Sequence, residues 1–251
     1  MKLGVWIVRE EAKAVGTAIA DGLNGTLFTP DQFTAGSNQD NFRDTFNQYT
    51  YWVLVMTTGI AYRYITGLTA SKLSDPGVVV IDEACLHSIS FISGHEGGAN
   101  ELAYKVASIT GANPVITTAT EANKDIIIGI GCRRDIPCVV IDSIIQEGLI
   151  KVNKQVSDIK HLATIDVKKD EIGILEWCDK NNVPLQVIPQ AIIKSRPWTY
   201  SPSEWVEKNI NVAGVSEPCA LLSSHRSDLI LQKFSRDGVS IAIAQQKVIE
   251  L

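Results

Sequence analysis

Short apolar runs recur along the chain and are separated by glycine, proline and polar residues. Runs of this length, rich in β-branched residues, are typical of strands buried on both faces. Between them lie stretches of helical periodicity, and the alternation of the two patterns predicts parallel sheets covered by helices. The predicted strands are residues 3–8, 26–29, 51–56, 77–81, 85–92, 115–118, 126–131, 162–165 and 185–188. The predicted helices are residues 10–23, 38–48, 60–65, 101–109, 137–148, 170–180 and 216–222.

Two features modify this pattern. The run 85–92 follows 77–81 too closely for a helical crossover, so we expect it to pair antiparallel within a mixed sheet. Apolar runs at 229–234 and 239–244 flank Arg236-Asp237-Gly238, which is a strong hairpin signal. For residues 195–203 we predict an irregular segment that is suited to serve as a mobile cover.

The strand–helix pattern restarts after Asp125, and the small polar residues 120–124 are typical of a linker. We therefore predict two α/β domains, 1–122 and 123–251, with mixed, mainly parallel sheets and a cleft between them. A length of 251 residues agrees with two domains.

Composition narrows the functional classes. A formal charge of −5 without a basic run argues against nucleic-acid binding. Five scattered cysteines without a CxxC motif favour free thiols in a reducing compartment. We find neither a signal-peptide pattern nor a membrane-spanning run, so we expect a cytoplasmic protein without membrane partners.

The most informative stretch is Ser93-Gly94-His95-Glu96-Gly97-Gly98-Ala99-Asn100, between a predicted strand and a predicted helix. Its glycines permit close approach of another molecule, and its histidine and carboxylate can move protons near neutral pH. Asn100 is placed to cap the following helix. These features fit a catalytic loop and a tight structural turn about equally.

Other residues support narrower hypotheses. His87 and His95 with a carboxylate suggest a zinc site, although no metal-binding spacing supports it. Arg133 and Arg134 follow a strand and a glycine turn, where a guanidinium can bind a carboxylate or phosphate, although solvated charges are the alternative. Cys132 beside them is a candidate nucleophile or a plain buried thiol. No Walker motif or complete dinucleotide fingerprint is present.

Several motifs together resemble the cobalamin biosynthesis family CbiG. The N-terminal half contains the element Thr58-Gly59-Ile60 with Arg63 and the signature Ser93-Gly94-His95-Glu96-Gly97-Gly98-Ala99-Asn100-Glu101-Leu102-Ala103. The C-terminal half contains Gly129-Ile130-Gly131-Cys132-Arg133-Arg134, Ala163-Thr164-Ile165-Asp166 with Lys168, and Gly214-Val215-Ser216-Glu217-Pro218. The family often has a further segment between its halves, whereas here Thr120 runs almost directly into Ile126.

This resemblance implies a cobalt-precorrin-5A hydrolase of anaerobic cobalamin synthesis, which opens the δ-lactone of a cobalt corrinoid and releases acetaldehyde. On this resemblance we expect His95 to be the general base, either for water at the lactone carbonyl or for the freed alcohol. We expect Glu96 to orient His95 or to serve as the acid partner, and the Gly97 and Gly98 amides to stabilise oxyanion charge. The resemblance further implies substrate contacts in both halves, namely Thr58, Gly59, Arg63, Ser93, Gly94, Gly97, Gly98, Asn100, Gly131, Cys132, Arg133, Arg134, Lys168 and Glu217.

The resemblance also implies that cobalt arrives with the substrate, so no cofactor or metal site of the protein's own is expected. A corrinoid-binding carrier without activity remains the main alternative, and an unrelated nucleotide-dependent enzyme ranks third. The oligomeric state is left open, with a homodimer and contacts with neighbouring pathway enzymes as the partners to consider.

Overall fold

The computed structural model describes residues 2–33, 35–196, 214–224 and 226–247. The chain divides into two compact units between Thr118 and Ala119, a few residues before the boundary predicted from sequence. Of the irregular segment predicted over 195–203, only Ser195 and Arg196 are described. The cleft predicted between the domains stays a prediction.

The first unit has a six-stranded sheet in the order β2-β1-β3-β4-β5-β6. Strands β1 to β4 are parallel, whereas β5 is antiparallel to β4, as predicted, and β6 is parallel to β5. The chain therefore leaves β5 at the edge of the sheet where β3 and β4 begin. The strands are β1 (Leu3–Ile7), β2 (Thr26–Phe28), β3 (Tyr51–Val55), β4 (Gly77–Ile81), β5 (His87–Ile92) and β6 (Asn113–Val115).

Helices cover both faces of this sheet. One face packs aliphatic residues such as Val5, Val53 and Val79 beneath the first and fourth helices. The other face carries an aromatic cluster that includes Trp6 and Trp52. The first-unit helices are α1 (Lys13–Leu23), α2 (Asn38–Thr45), α3 (Thr58–Ile65) and α4 (Ala99–Thr110).

The second unit has a five-stranded sheet in the order β10-β11-β7-β8-β9. Strands β7, β8 and β9 are parallel, and β11 is antiparallel to both β7 and β10. The second-unit strands are β7 (Ile126–Cys132), β8 (Ile159–Ile165), β9 (Leu185–Ile188), β10 (Ser227–Arg236) and β11 (Val239–Gln246). The helices are α5 (Ala119–Ala122), α6 (Cys138–Lys151), α7 (Ile172–Asn181), α8 (Gln190–Lys194) and α9 (Ser216–Leu222).

The predicted hairpin is confirmed, with Asp237 and Gly238 at φ +51° and +80°. Two positive φ values in succession match a two-residue hairpin turn, which explains the Asp-Gly pair. Two other predictions were wrong in detail. The linker expected over 120–124 begins as the short helix α5, and β6 ends at Val115 rather than continuing through Thr118.

Gly129 in the centre of β7 allows a close contact between this strand and α9. A Cβ built on Gly129 would lie 1.8 Å from the backbone oxygen of Ser216 at the start of α9. Since backbone atoms cannot move aside as a side chain can, this position requires glycine. No helix in the described part of the chain is both long enough and apolar enough to cross a bilayer.

Candidate functional site

The loop Ser93–Asn100 lies at the edge of the first sheet where β3 and β4 begin. Its position follows from the antiparallel register, since Ile92 at the end of β5 pairs with Val78. Gly77 is packed directly against it, because a Cβ on Gly77 would lie 2.4 Å from the carbonyl oxygen of Gly97. The loop thus sits against the N-terminal end of β4.

The loop is tightly folded, and its packing and backbone conformation explain why glycines occupy it. Ser93 and Gly98 adopt positive φ values of +55° and +76°. A Cβ on Gly94 would lie 2.7 Å from Asn100 Oδ1, and one on Gly97 would lie 2.4 Å from Ser93 Cβ. The glycine signature therefore fixes the loop's shape whatever its chemistry. Ser93, which carries a side chain in the left-handed region, is a strained position of the kind found at functional sites.

Asn100 does not cap the following helix, so that prediction was wrong. Gly98 is the N-cap residue of α4, and the Asn100 side chain is used elsewhere. Its Oδ1 accepts a hydrogen bond from Ser90 Oγ at 2.7 Å, and its Nδ2 donates to Thr118 Oγ1 at 3.0 Å. Asn100 thereby holds the loop against β5 and against the segment that follows β6.

His95 and Glu96 are both exposed at the tip of the loop. The His95 imidazole has no hydrogen-bond partner among the described residues, whereas Glu96 Oε1 accepts a hydrogen bond from Lys72 Nζ at 2.6 Å. The hydrogen bond from Lys72, the backbone amide and the nearby charges of Lys72 and His95 lower the pKa of Glu96. Glu96 is thus favoured as a carboxylate, which argues against the predicted acid role and fits an orienting role.

Several backbone amides in this loop, including the neighbouring amides of Gly97 and Gly98, have no acceptor among the described residues. Within the described part of the chain, the N–H groups of Gly97 and Gly98 donate no hydrogen bond, whereas those of Ala99 and Asn100 donate to Ser93 and Gly94. Neighbouring unpaired amides at a helix N-terminus are well suited to stabilise negative charge.

The predicted elements Thr58-Gly59 and Ser93–Asn100 lie at opposite edges of one sheet. Thr58 and Gly59 follow the C-terminal end of β3, where Thr57 Oγ1 caps α3, and a Cβ on Gly59 would meet nothing within 4 Å. The five residues of β4, at about 3.3 Å per residue, put roughly 13 Å between these edges. Arg63 lies in the last turn of α3 and is exposed.

His87 and His95 are likewise at opposite ends of β5, so the structure does not bring the suggested zinc ligands together. His87 Nδ1 lies 3.8 Å from Asp82 Oδ1, at the edge that carries Thr58. No group of three or more His, Cys, Asp or Glu side chains suited to a metal ion occurs among the described residues.

In the second unit, the polar residues after β7 and β8 meet at the carboxyl edge, where open α/β sheets bind ligands. Arg134 is fully engaged, with its guanidinium 2.8 Å from Asp170, 2.9 Å from Glu171 and hydrogen-bonded to the carbonyl of Val167. The buried Lys168 lies 3.0 Å from Glu171. These two cations hold the connections together rather than facing an anion freely.

Arg133 differs from its neighbour. It is exposed, its backbone N–H donates to Gly238 O, and its guanidinium has no ion-pair partner among the described residues. Arg133 is therefore the better placed of the two arginines to bind a carboxylate of a ligand.

Cys132 is not activated as the neighbouring arginines suggested. Burial, together with the nearby charge of Glu171, raises its pKa to about 11, because the opposing effects of Lys168 and Arg134 are smaller. A thiol with this pKa is neutral near pH 7, which disfavours a nucleophile. Gly131, just before it, packs on Val215, which a Cβ at Gly131 would approach to 3.2 Å.

Glu217 has a structural partner. It is buried in α9, and its Oε1 accepts a hydrogen bond from the backbone N–H of Lys233 at 3.0 Å. Strand β10 shifts register between Leu231 and Phe234, so this amide lies in an irregular part of the ladder. Glu217 compensates for this irregularity by accepting the hydrogen bond of the amide. Its partner could not be predicted from sequence, because the residue pattern does not reveal the register shift.

The fold defines a class, namely a protein of two α/β units, each with a mixed sheet. The family follows from comparison with known proteins. Residues 40–121 match the family model for the cobalamin synthesis G N-terminal region, and residues 126–244 match that for the cobalamin synthesis G C-terminus. The chain belongs to the CbiG family.

Individual relatives carry functional names. The cobalt-precorrin-5A hydrolase of Salmonella typhimurium is 24% identical over 300 aligned positions, covering 83% of this chain and 85% of that protein. The cobalt-precorrin-5A hydrolase of Priestia megaterium is 25% identical, covering 85% of this chain and 83% of that protein. A crystal structure of a cobalamin biosynthesis protein G homologue from Sulfolobus solfataricus covers 98% of this chain and 97% of that one, at 18% identity and a TM-score of 0.40.

The alignment with the Salmonella protein is longer than the 251 residues of this chain, so that relative has residues without a counterpart here. Only residues 122–125 separate the two matched regions. This agrees with the expectation that the chain is a compact variant of the family.

Proposed function

We propose that this protein is a hydrolase of cobalamin synthesis that acts on cobalt-precorrin-5A. The observation that carries the proposal is that both halves match the CbiG family, with hydrolases of this name among the relatives. The loop Ser93–Asn100 supplies an exposed imidazole, a carboxylate and two unpaired amides within four consecutive residues, which supports hydrolytic chemistry.

The first step is opening of the δ-lactone. His95 removes a proton from water as its oxygen bonds to the lactone carbonyl carbon, and the carbonyl π pair moves onto the carbonyl oxygen. The Gly97 and Gly98 amides donate hydrogen bonds to that oxyanion. When the intermediate collapses, the ring C–O bond breaks, and the leaving oxygen takes a proton from the protonated His95.

The second step breaks a carbon–carbon bond. His95, which is neutral again after the first step, removes the proton from the freed alcohol. An oxygen electron pair then forms the carbonyl of acetaldehyde, the carbon–carbon bond breaks, and its electrons pass into the conjugated macrocycle, which takes a proton back from His95. Glu96 remains a carboxylate through both steps and stabilises the protonated imidazole beside it, with Lys72 fixing its position.

Substrate binding requires cations, because the macrocycle carries acetate and propionate groups whereas the protein has a formal charge of −5. Arg133 and Arg63 are exposed and serve as the anchors, while Arg134 and Lys168 keep their structural partners. Cobalt enters as part of the substrate, so the protein supplies no metal of its own. A cytoplasmic location and a homodimer stay predictions.

The test compares two histidine variants in an anaerobic assay of acetaldehyde release from cobalt-precorrin-5A. His95→Asn should lower kcat by about 10²–10⁴-fold, as loss of a general base does. His87→Asn removes another exposed histidine, at the other end of β5, and should leave kcat unchanged. Near-normal turnover by His95→Asn would reject the assignment of the base, and tight binding of substrate without turnover by the wild type would favour the carrier alternative.

A further inference from the structure

Tyr51, the first residue of β3, brings a hydroxyl group to the glycine-rich loop from another part of the chain. It pairs with Gly77 in the sheet, and so stands at the edge where the loop Ser93–Asn100 is packed. A Cβ built on Gly98 would lie 2.8 Å from the Tyr51 hydroxyl oxygen and 3.1 Å from Cε1 of its ring. The phenol thus lies directly against the residue whose amide has no acceptor.

The Tyr51 hydroxyl also lacks a partner of its own. Among the described residues it makes no hydrogen bond, although the ring is half-buried against the aliphatic core. A tyrosine that served only to fill space would bury its ring in the same way, but would not need its hydroxyl beside unpaired amides. Buried or half-buried tyrosine hydroxyl groups normally find a hydrogen-bond partner.

We infer that the Tyr51 hydroxyl is a further catalytic group, which donates a hydrogen bond to the lactone oxyanion together with the Gly97 and Gly98 amides. This inference rests on the proposed function. The hydroxyl keeps its proton throughout, since it stabilises the negative charge that forms on the carbonyl oxygen and takes no part in the proton transfers of His95. The packing of Gly98 against the ring fixes the donor before the substrate arrives, which is what an oxyanion-binding group requires.

Tyr51→Phe is the direct test, because it removes the hydroxyl and keeps the ring that packs on Gly77 and Gly98. We expect kcat for acetaldehyde release from cobalt-precorrin-5A to fall about 10²-fold, the usual cost of losing one oxyanion donor. KM should change less than about twofold, as for an interaction made only in the transition state. The thermal unfolding midpoint should match that of the wild type.

Tyr49→Phe is the matched control. Tyr49 is also half-buried, and its ring packs on Trp52 at a centroid distance of 4.8 Å, but it belongs to the aromatic cluster on the other face of the sheet. Loss of the Tyr49 hydroxyl should leave kcat unchanged. If wild type and Tyr51→Phe turn over equally, the inference fails while the proposed function stands. If the wild type does not turn over at all, both fail.

Discussion

Lys72 Nζ lies 2.6 Å from Glu96 Oε1, which joins the connection before β4 to the loop after β5. The two residues are 24 positions apart, and they meet because the antiparallel β5 returns the chain to the start of β4. This ion pair makes the loop's carboxylate a fixed negative group next to His95. The ion pair also distinguishes Glu96, which has a cationic partner, from His95, whose imidazole has no hydrogen-bond partner among the described residues.

Removing the Lys72 ammonium should therefore impair catalysis through Glu96. We expect Lys72→Met to lower kcat for acetaldehyde release, because Glu96 then loses the hydrogen bond that orients it and its pKa rises towards the ordinary value. Lys72→Arg, which keeps the charge and a donor, should recover most of the activity. Lys105→Met removes an exposed lysine that pairs with Glu101 at 2.6 Å on α4 and serves as the control. Equal kcat values for all three variants would exclude a positioning role for Lys72.

The two neighbouring arginines should behave differently. Arg133→Ala should raise KM for the corrinoid, because a substrate carboxylate loses its cationic anchor. The unfolding midpoint should not change, because the Arg133 guanidinium has no partner among the described residues. Arg134→Ala should lower the unfolding midpoint, because Asp170, Glu171 and the Val167 carbonyl all lose a donor. Thermal unfolding and KM are measured on the same two protein preparations. A raised KM in Arg134→Ala, with an unchanged KM in Arg133→Ala, would mean that Arg134 is the anchor.

His161 should make the protein sensitive to acid. It is fully buried in β8, and burial, together with Lys160, lowers its pKa to about 3. In the unfolded chain a histidine titrates near pH 6.5, so the unfolded state alone takes up this proton as the pH falls from about 6.5 towards 3. Stability from this group is therefore complete above pH 6.5 and decreases below it, with a limiting slope of about 1.4 kcal/mol per pH unit.

Urea unfolding between pH 7.5 and 4.5 measures this slope. His161→Leu should flatten the decrease, whereas His87→Asn, which alters an exposed histidine, should leave it unchanged. The slope rather than the absolute stability is the readout, so a general loss of stability in His161→Leu does not obscure the result. An unchanged slope in His161→Leu would show that other groups dominate acid unfolding.

Two glycines offer a matched test of the fold. Gly129→Ala should reduce the unfolding free energy by more than about 2 kcal/mol, because the new Cβ meets the Ser216 carbonyl and α9 must move away. Gly59→Ala places its Cβ in open space on α3 and should leave stability equal or slightly higher. Denaturant unfolding of the two variants measures both effects, and a tolerated Gly129→Ala would contradict the packing of α9 on β7.

Much of the fold could be predicted from the residue pattern. Buried strands such as β3 and β4 were evident because they are continuous apolar runs, and the antiparallel direction of β5 followed from its short connection to β4. The boundaries of β6 and α5 were missed, because a few small polar residues carry no periodicity.

The site was predicted less completely, for a physical reason. Motifs identify residues, but side-chain partners depend on register, and so the pairing of Glu96 with Lys72 and the full engagement of Arg134 were not visible. The separation of Thr58 from His95 follows from the antiparallel direction of β5. That direction was predicted, but the separation was not. Burial outweighs the lowering of the Cys132 pKa by Arg134, since sequence shows neighbouring charges but not desolvation.

We propose that this chain alone converts cobalt-precorrin-5A. The most direct measurement is an anaerobic single-turnover reaction of purified protein in excess over this corrinoid, followed by mass spectrometry of the corrinoid and quantification of acetaldehyde. We expect one acetaldehyde per corrinoid and a matching loss of mass from the corrinoid. A corrinoid that remains bound and unchanged in mass, with no acetaldehyde, would rule out the proposed reaction.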